Sequence, residues 1–283
     1  MKKISVFLLL VAISCNSLQA QTCDIDIFKC DAKILQSVVD KTLSEIKSKE
    51  YSQLIPLIGE YFLETPYVAH TLEGEIEVLT VNLRELDCTT FLENVVVISS
   101  LIKDENTDFE SYLQRLKNIR YRNGEVDGYG SRIHYTSDWI ITNEARGYVK
   151  NVTKEIGGES YDKTINFMTQ NREKYAGFAN EKDFEAAKAA EDNLNTHQHY
   201  YIPKAKVADI EKNIQNGDLI AITCKTKGLD VTHVGLAYKK NGRIHLMHAS
   251  QTGKKVVISN EPLHNYLANI NGNTGIMVAR MIY

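Results

Sequence analysis

The chain has 283 residues, a formal charge of −3 and a pI near 6.3, with 43% hydrophobic and 24% charged residues. That balance leaves no electrostatic footprint for nucleic acid, and the length suffices for one substantial hydrophobic core. Only four prolines occur, and no repeat or low-complexity linker divides the chain, which predicts one body rather than separate modules.

Lys2 and Lys3 precede an apolar run from Ile4 to Ile13, and Leu18-Gln19-Ala20 stands before Gln21. This is the layout of a secretory signal peptide over residues 1–20, and the run is too short to span a bilayer. Cys15, after Ala12-Ile13-Ser14, offers an imperfect lipoprotein signal as the alternative to cleavage after Ala20. Either route exports the protein. No later apolar run has the length of a membrane span.

Cys23, Cys30, Cys88 and Cys224 remain after cleavage. Export permits disulfides, and Cys23 with Cys30 is the simplest pair on sequence distance. No C-x-x-C, H-x-x-x-H or H-E-x-x-H spacing exists, so no metal and no cofactor is expected.

Helices are expected over Asp31–Lys47 and Tyr51–Phe62, forming an amphipathic N-terminal layer. Glu75–Val81 reads as a short strand leading to V-N-L-R-E-L-D-C-T-T-F. There Asp87 is placed to cap a helix that is apolar at Phe91, Leu92, Val95, Val96, Ile98 and Ile102. Cys88 therefore stands in the first turn. Unpaired amides and the helix dipole stabilise an anion there, which predicts a lowered thiol pKa. Taken alone, the residue reads first as a small buried hydrophobe.

Thr107 is the expected cap of a further helix. Tyr121–Trp139 then gathers glycines, aromatics and Arg, and Trp139 is the only tryptophan. Aromatic faces beside Arg132, Tyr135 and Asp138 suit a sugar ring; a hairpin filling the core, with Arg132 and Asp138 as a surface pair, is the competing reading. Ser137 is positioned to cap a helix that Gly147 stops. Residues 150–200 are polar, with a solvated helix near Glu181–Leu194 and His197 and His199 in an exposed loop.

The last third reads as strands: Asp218–Cys224, His233–Lys239, Arg243–Ala249, Lys255–Ile258 and Gly275–Met281. Asn241-Gly242 is a strong hairpin signal. A two-residue turn there sets Lys240 opposite Arg243, hence Gly235 opposite His248 and His233 opposite Ser250. His233 and His248 then become diagonal neighbours on one face, with Gly235 leaving room between them, and His245 points to the other face. Cys88, His233 and His248 are the parts of a cysteine nucleophile system. His233 would take the thiol proton and later protonate the leaving amine, His248 would orient His233, and helix-start amides would receive an oxyanion.

The order D-C-T-T-F, G-D-L-I, H-V-G-L-A-Y and H-A-S resembles the NlpC-type, papain-like cysteine peptidase and amidase superfamily. Longer strings, V-N-L-R-E-L-D-C-T-T-F, S-R-I-H-Y-T-S-D-W, T-I-N-F-M, G-L-D-V-T-H-V-G and L-M-H-A-S, resemble one branch first catalogued as a domain of unknown function. That branch comprises N-acetylmuramoyl-L-alanine amidases, and the likeness runs from about residue 60 to the end. It implies Cys88, His233 and His248 as the triad, Arg132, Tyr135, Asp138 and Trp139 as substrate contacts, and disaccharide-peptides ending in 1,6-anhydro-muramic acid as substrates. It also implies the periplasm as the compartment. Thr90 stands where many superfamily members have Gly after a D-C-S start, which argues against the commoner endopeptidase specificity.

The expected architecture is α+β: a nucleophile helix on an antiparallel sheet in a single domain over 21–283. It comprises a helical layer at about 24–65, a substrate-site insertion at about 105–205 and the sheet at about 215–283. An endopeptidase acting on the stem peptide and a non-catalytic wall-binding protein are the alternatives.

Overall fold

The computed structural model describes residues 15–46 and 51–282; residues 1–14, which hold most of the expected signal peptide, lie outside them. Eight helices and eight strands are named here in chain order. Helices α1 (Cys15–Ile46) and α2 (Leu54–Tyr61) precede α3 (Cys88–Lys103), α4 (Phe109–Arg120) and α5 (Thr136–Ala145). Short strands β1 (Val149–Asn151), β2 (Glu159–Ser160) and β3 (Tyr200–Pro203) enclose α6 (Glu181–Leu194), and α7 (Val207–Ile210) follows. The sheet continues with β4 (Leu219–Cys224), β5 (Val231–Lys240), β6 (Arg243–Ser250) and β7 (Lys255–Pro262), and α8 (Leu263–Ala268) leads to β8 (Asn273–Met281).

The fold is α+β, with one antiparallel sheet in the order β2-β3-β8-β4-β5-β6-β7 and β1 also paired with β8. L-I-A-I-T-C of β4 is buried at every position, as a central strand covered on both faces must be. Leu219, Ala221, Leu236, Met247 and Ala279 face α2 and α3, on which α1 packs. Ile220, Ile222, Leu246 and Val278 face α8 and the chain around Val207 and Ile214. Helix α3 is apolar nearly all round and is buried from Thr90 to Ile102, which makes it the central helix rather than a surface one. Each fully buried Phe, Ile or Val along it contributes roughly 1.5–3 kcal/mol.

Asn241 and Gly242 have φ of 51° and 81°, the pair of positive angles that a two-residue hairpin turn requires. Lys240 pairs with Arg243 and Leu236 with Met247, as expected. On β5, Ile222 faces His233 and Thr223 faces Val231, so Thr232 is an extra residue. This bulge re-aims the strand just before His233.

Four expectations are corrected. Glu75–Val81 is not a strand: Arg120 and the Tyr121 hydroxyl bond to the carbonyls of Thr80 and Val78, so side chains occupy groups a neighbouring strand would use. The cap of α4 is Asp108, not Thr107. Cys30, one half of the expected Cys23–Cys30 pair, is a free, exposed thiol, and the side chain of Cys23 lies outside those the structure describes. His197 is exposed, but His199 is buried and bonds through Nε2 to the Leu194 carbonyl at 2.9 Å. The polar α6 likewise buries Asp183 and Glu191.

Candidate active site

The site begins at the cap of α3. The Asp87 carboxylate accepts the Thr90 N–H at 2.7 Å, and the Thr90 hydroxyl accepts the Asp87 N–H at 2.9 Å. This reciprocal box satisfies two helix-start donors and holds Cys88 at the first helical position. The thiol faces the Val234 amide, next to His233 on β5, and the amide and hydroxyl of Thr89. His233 Nε2 lies 2.6 Å from His248 Nδ1, with the rings edge to face. Gly235 permits the approach of these strands: a Cβ there would stand 2.7 Å from the Met247 carbonyl and 2.9 Å from His248 Cβ.

The electrostatics differ from the expectation for the thiol. Burial, reinforced by the Asp87 carboxylate, pushes the Cys88 thiol up to about 11, and the donors at Val234 and Thr89 pull it down by less. Burial lowers His233 to about 4, and burial with the neighbouring His233 lowers His248 to about 3. All three shifts favour the uncharged form, a neutral thiol and two neutral imidazoles. Two hydroxyls the sequence did not single out complete it. Tyr67, its amide bonded to the Lys254 carbonyl at 2.9 Å, and Tyr266 of α8 are both raised by burial and then by proximity to Cys88. Tyr266 also sets its ring 5.4 Å from that of His248.

From Asp87 and Thr89 a cleft of about 250 Å³ runs toward Arg132, His134 and Tyr175. Its far wall is built on buried charge. Arg120 pairs with Glu93 at 2.8 Å, both almost wholly buried, and Arg132 pairs with Glu73 at 2.8 Å and Glu77 at 3.2 Å. Arg132 also stacks on Tyr129, 4.9 Å from the ring centre. His134 donates from Nε2 to the Tyr129 carbonyl at 2.8 Å, and burial with Arg132 holds it down at about 3. Asp230 anchors the near end, its carboxylate accepting from the Ser137 amide and hydroxyl at 2.8 and 2.7 Å and from the Val231 amide at 2.7 Å. Ser137 thus sits inside the first turn of α5 and is itself bonded by a distant acid, rather than capping the helix.

Of the expected substrate contacts, Arg132 and Tyr135 line the cleft. Trp139 lines a narrower chamber that shares Thr89, Ile133 and Tyr135 with it. Asp138 lines neither; it is buried against Arg122, not paired with Arg132. His245 is turned to the other face, with Nδ1 on the Ser259 carbonyl at 2.9 Å. Among the described residues no cluster of His, Cys, Asp and Glu is arranged to hold a metal ion.

A family model described as "N-acetylmuramoyl-L-alanine amidase-like" matches residues 57–276. The chain belongs to this family. The matched stretch carries Cys88, His233, His248 and both walls of the cleft, and leaves α1 outside. Solved structures agree. A crystal structure named as an N-acetylmuramoyl-L-alanine amidase from Bacteroides uniformis ATCC 8492 is 38% identical over 82% of this chain and 99% of that one, with a TM-score of 0.78. A Bacteroides fragilis structure described as a candidate xylanase is 36% identical over 79% and 98% of the two chains, with a TM-score of 0.74. A Legionella pneumophila protein, 21% identical over 95% and 97%, has a TM-score of 0.69 and shares the fold. No curated protein sequence matches the chain.

Proposed function

We propose that this amidase-like chain hydrolyses the amide between the muramic acid lactyl group and L-alanine in peptidoglycan fragments, through a Cys88 thioester, on a papain-like NlpC-type fold. The observation that carries the reading is the 2.6 Å contact of His233 Nε2 with His248 Nδ1 beside a capped helix-start cysteine. That contact occupies Nε2 of His233. Its proton goes to His248, which leaves Nδ1 bare as the base for the thiol.

Cys88 Sγ attacks the lactyl carbonyl carbon while its proton passes to His233 Nδ1. The oxyanion that forms is met by the Val234 and helix-start amides and by the hydroxyls of Tyr67 and Tyr266. His233 returns the proton to the departing L-alanine nitrogen, the C–N bond breaks, and a thioester remains. Water, deprotonated by His233, attacks the thioester and releases the lactyl carboxylate and the thiol. Because burial favours the neutral thiol and the neutral imidazole, the proton moves as the C–S bond forms rather than beforehand.

A glycosidase needs a pair of free carboxyl groups across the scissile bond. In this cleft Glu93 is held by Arg120, Asp230 by Ser137, Asp87 by the helix cap and Glu73 by Arg132. Fragments ending in 1,6-anhydro-muramic acid are the proposed substrates, met after export to the periplasm.

Purified protein and its Cys88→Ala variant, incubated with an anhydro-disaccharide tetrapeptide, should differ by mass spectrometry: free disaccharide plus tetrapeptide from the wild type alone. Cleavage inside the peptide would move the activity to an endopeptidase, and no product from any wall fragment would leave a binding protein.

A further inference from the structure

Helix α1 lies outside the stretch that the family model matches, yet one of its side chains reaches the turn that leads to the nucleophile. The helix buries Asp31, Leu35, Val38, Val39 and Thr42, the spacing of a single face packed inward. Asp31 opens that stripe, fully buried, where the pattern asks for an apolar residue. Its Oδ1 accepts the Leu83 N–H at 3.0 Å and the Arg84 Nε–H at 3.2 Å. Its Oδ2 has no hydrogen-bond partner among the described residues. A buried carboxylate with one oxygen unmet costs more than an apolar side chain of similar size, so the packing of α1 does not account for it. What a carboxylate adds is a directed acceptor.

The peptide it grips is shared with α3. The Leu83 N–H and the Asn82 carbonyl are the two ends of one peptide unit, and that carbonyl accepts from Asn94 Nδ2 of α3 at 3.2 Å. The Tyr112 hydroxyl fixes Asn94 in turn by donating to its Oδ1. From this clamped unit the chain turns directly into Cys88. The Asn82 side chain accepts the Arg84 and Glu85 amides at 3.0 Å, the Leu86 amide donates to the Pro66 carbonyl at 2.9 Å, and Asp87 caps α3. Of these ties only the one to Leu83 comes from outside the family-matched stretch.

We propose that Asp31 is a positioning residue for the nucleophile: by orienting the Asn82–Leu83 peptide against α3, it sets the turn that delivers Cys88 to His233. The inference rests on the reading of Cys88 as the nucleophile. It makes α1 a working part of the site rather than a cover over the sheet.

The reactivity of the Cys88 thiol reads its placement without any wall substrate. The protein is alkylated with iodoacetamide, and the peptide carrying Cys88 is followed by mass spectrometry, which separates it from the exposed Cys30. In parallel, kcat and KM are measured on an anhydro-disaccharide tetrapeptide, each variant being held well below its melting temperature. Asp31→Ala removes the acceptor of the Leu83 amide. It should slow alkylation and lower kcat by about ten- to a hundredfold, the scale for a misplacement of about 1 Å. KM should stay near that of the wild type, because Arg132 and Tyr135 are held by other partners. Asp31→Asn keeps an acceptor for the amide and should restore both rates. Arg84→Ala removes the ion pair, keeps the amide contact and should leave both rates unchanged. A folded Asp31→Ala protein with wild-type kcat would overturn the inference and leave Asp31 to stability. So would alkylation at or above the wild-type rate, or a loss in Asp31→Asn or Arg84→Ala equal to that in Asp31→Ala. If Asp31→Ala does not fold, the other two variants decide, and a tenfold loss of kcat in either overturns the inference. The two levels separate: a wild type that releases no disaccharide defeats the amidase reading, whereas undiminished Cys88 alkylation in Asp31→Ala defeats only the positioning role.

Discussion

The two walls of the cleft bury ionisable groups to a similar depth and treat them in opposite ways. At the nucleophile, Cys88 is driven up to about 11 and His233 and His248 down to about 4 and 3, all toward the neutral form. Across the cleft, Arg120 and Arg132 are buried as cations because the Glu93 and Glu77 side chains are buried with them, and exposed Glu73 reaches Arg132 from the rim. Desolvation acts on both walls; what differs is the opposite charge at hydrogen-bond distance. The wall that needs a fixed shape is locked by ion pairs. The wall that moves a proton keeps its groups uncharged until the substrate supplies the reason to ionise.

The largest effects are expected where proton movement is broken. Cys88→Ala should cut turnover by at least about 10³-fold with little change in thermal melting, because Ala fits a half-buried helix start. His248→Ala should cost roughly 10²–10⁴-fold in kcat, the range for losing the group that orients a catalytic histidine. A His248→Ala enzyme of near wild-type kcat would remove His248 from the mechanism.

Breaking the other wall should act on stability instead. Glu93→Ala leaves Arg120 buried and unpaired, at a cost of about 3–5 kcal/mol, which for a chain of this size lowers Tm by about 10 °C. Replacing both partners, as Glu93→Leu with Arg120→Met, should recover most of that loss. A single variant that melts like the wild type would show the pair to be dispensable.

The pH response sharpens the same contrast. His233 must be neutral to accept a proton, and at about 4 it stays neutral until well into acid. The acid limb of kcat/KM should therefore fall near pH 4 rather than near the ordinary 6.5 of histidine. The sign for stability follows from the same displacement. Between the folded and unfolded values, the unfolded chain binds the proton and the native state does not, so stability is complete above about 6.5 and declines as pH falls toward 4. His248 adds to that decline over a window reaching about 3. Melting curves from pH 7 to 4 should show it, with a shallower slope in His248→Gln.

Much of this was readable from local pattern. The hairpin register followed from Asn241-Gly242, and the five long strands and the Asp87 cap followed from alternation and capping chemistry. What was not readable depended on partners far away in the chain. In Glu75–Val81 the alternation is genuine, but its faces are inverted: Ile76 and Val78 are 78% and 57% exposed, while Glu77 is buried on Arg132 and Tyr121. A strand pattern assumes that the apolar face goes inward, and here two distant groups draw the acid inward instead. Arg132, which the competing core-hairpin reading pairs with Asp138 six residues away, takes acids more than fifty residues upstream. Tyr67 and Tyr266 sit in segments with no motif and reach Cys88 only through the fold. The thiol departs from its expected shift for a related reason: a helix start is visible in the sequence, but the desolvation that outweighs it is not.

The smallest expected effect concerns the residue that joins the two walls. Asp230 ties the Ser137 turn of α5, which carries Trp139, to the strand that presents His233, through three hydrogen bonds on a fully buried carboxylate. Burial lifts this carboxyl above its usual range, and the three donors pull it back. Asp230→Asn keeps the shape but replaces one acceptor oxygen with a donor facing a donor. The cost should be about 1–3 kcal/mol, or a Tm lower by several degrees at about 2–4 °C per kcal/mol. Cys88 and His233 remain in place, so kcat should hold while KM rises as the wall bearing Trp139 loosens from the sheet. A fall in kcat with KM unchanged would mean that Asp230 acts on the histidine pair itself, and the two walls would then be one electrostatic unit rather than two.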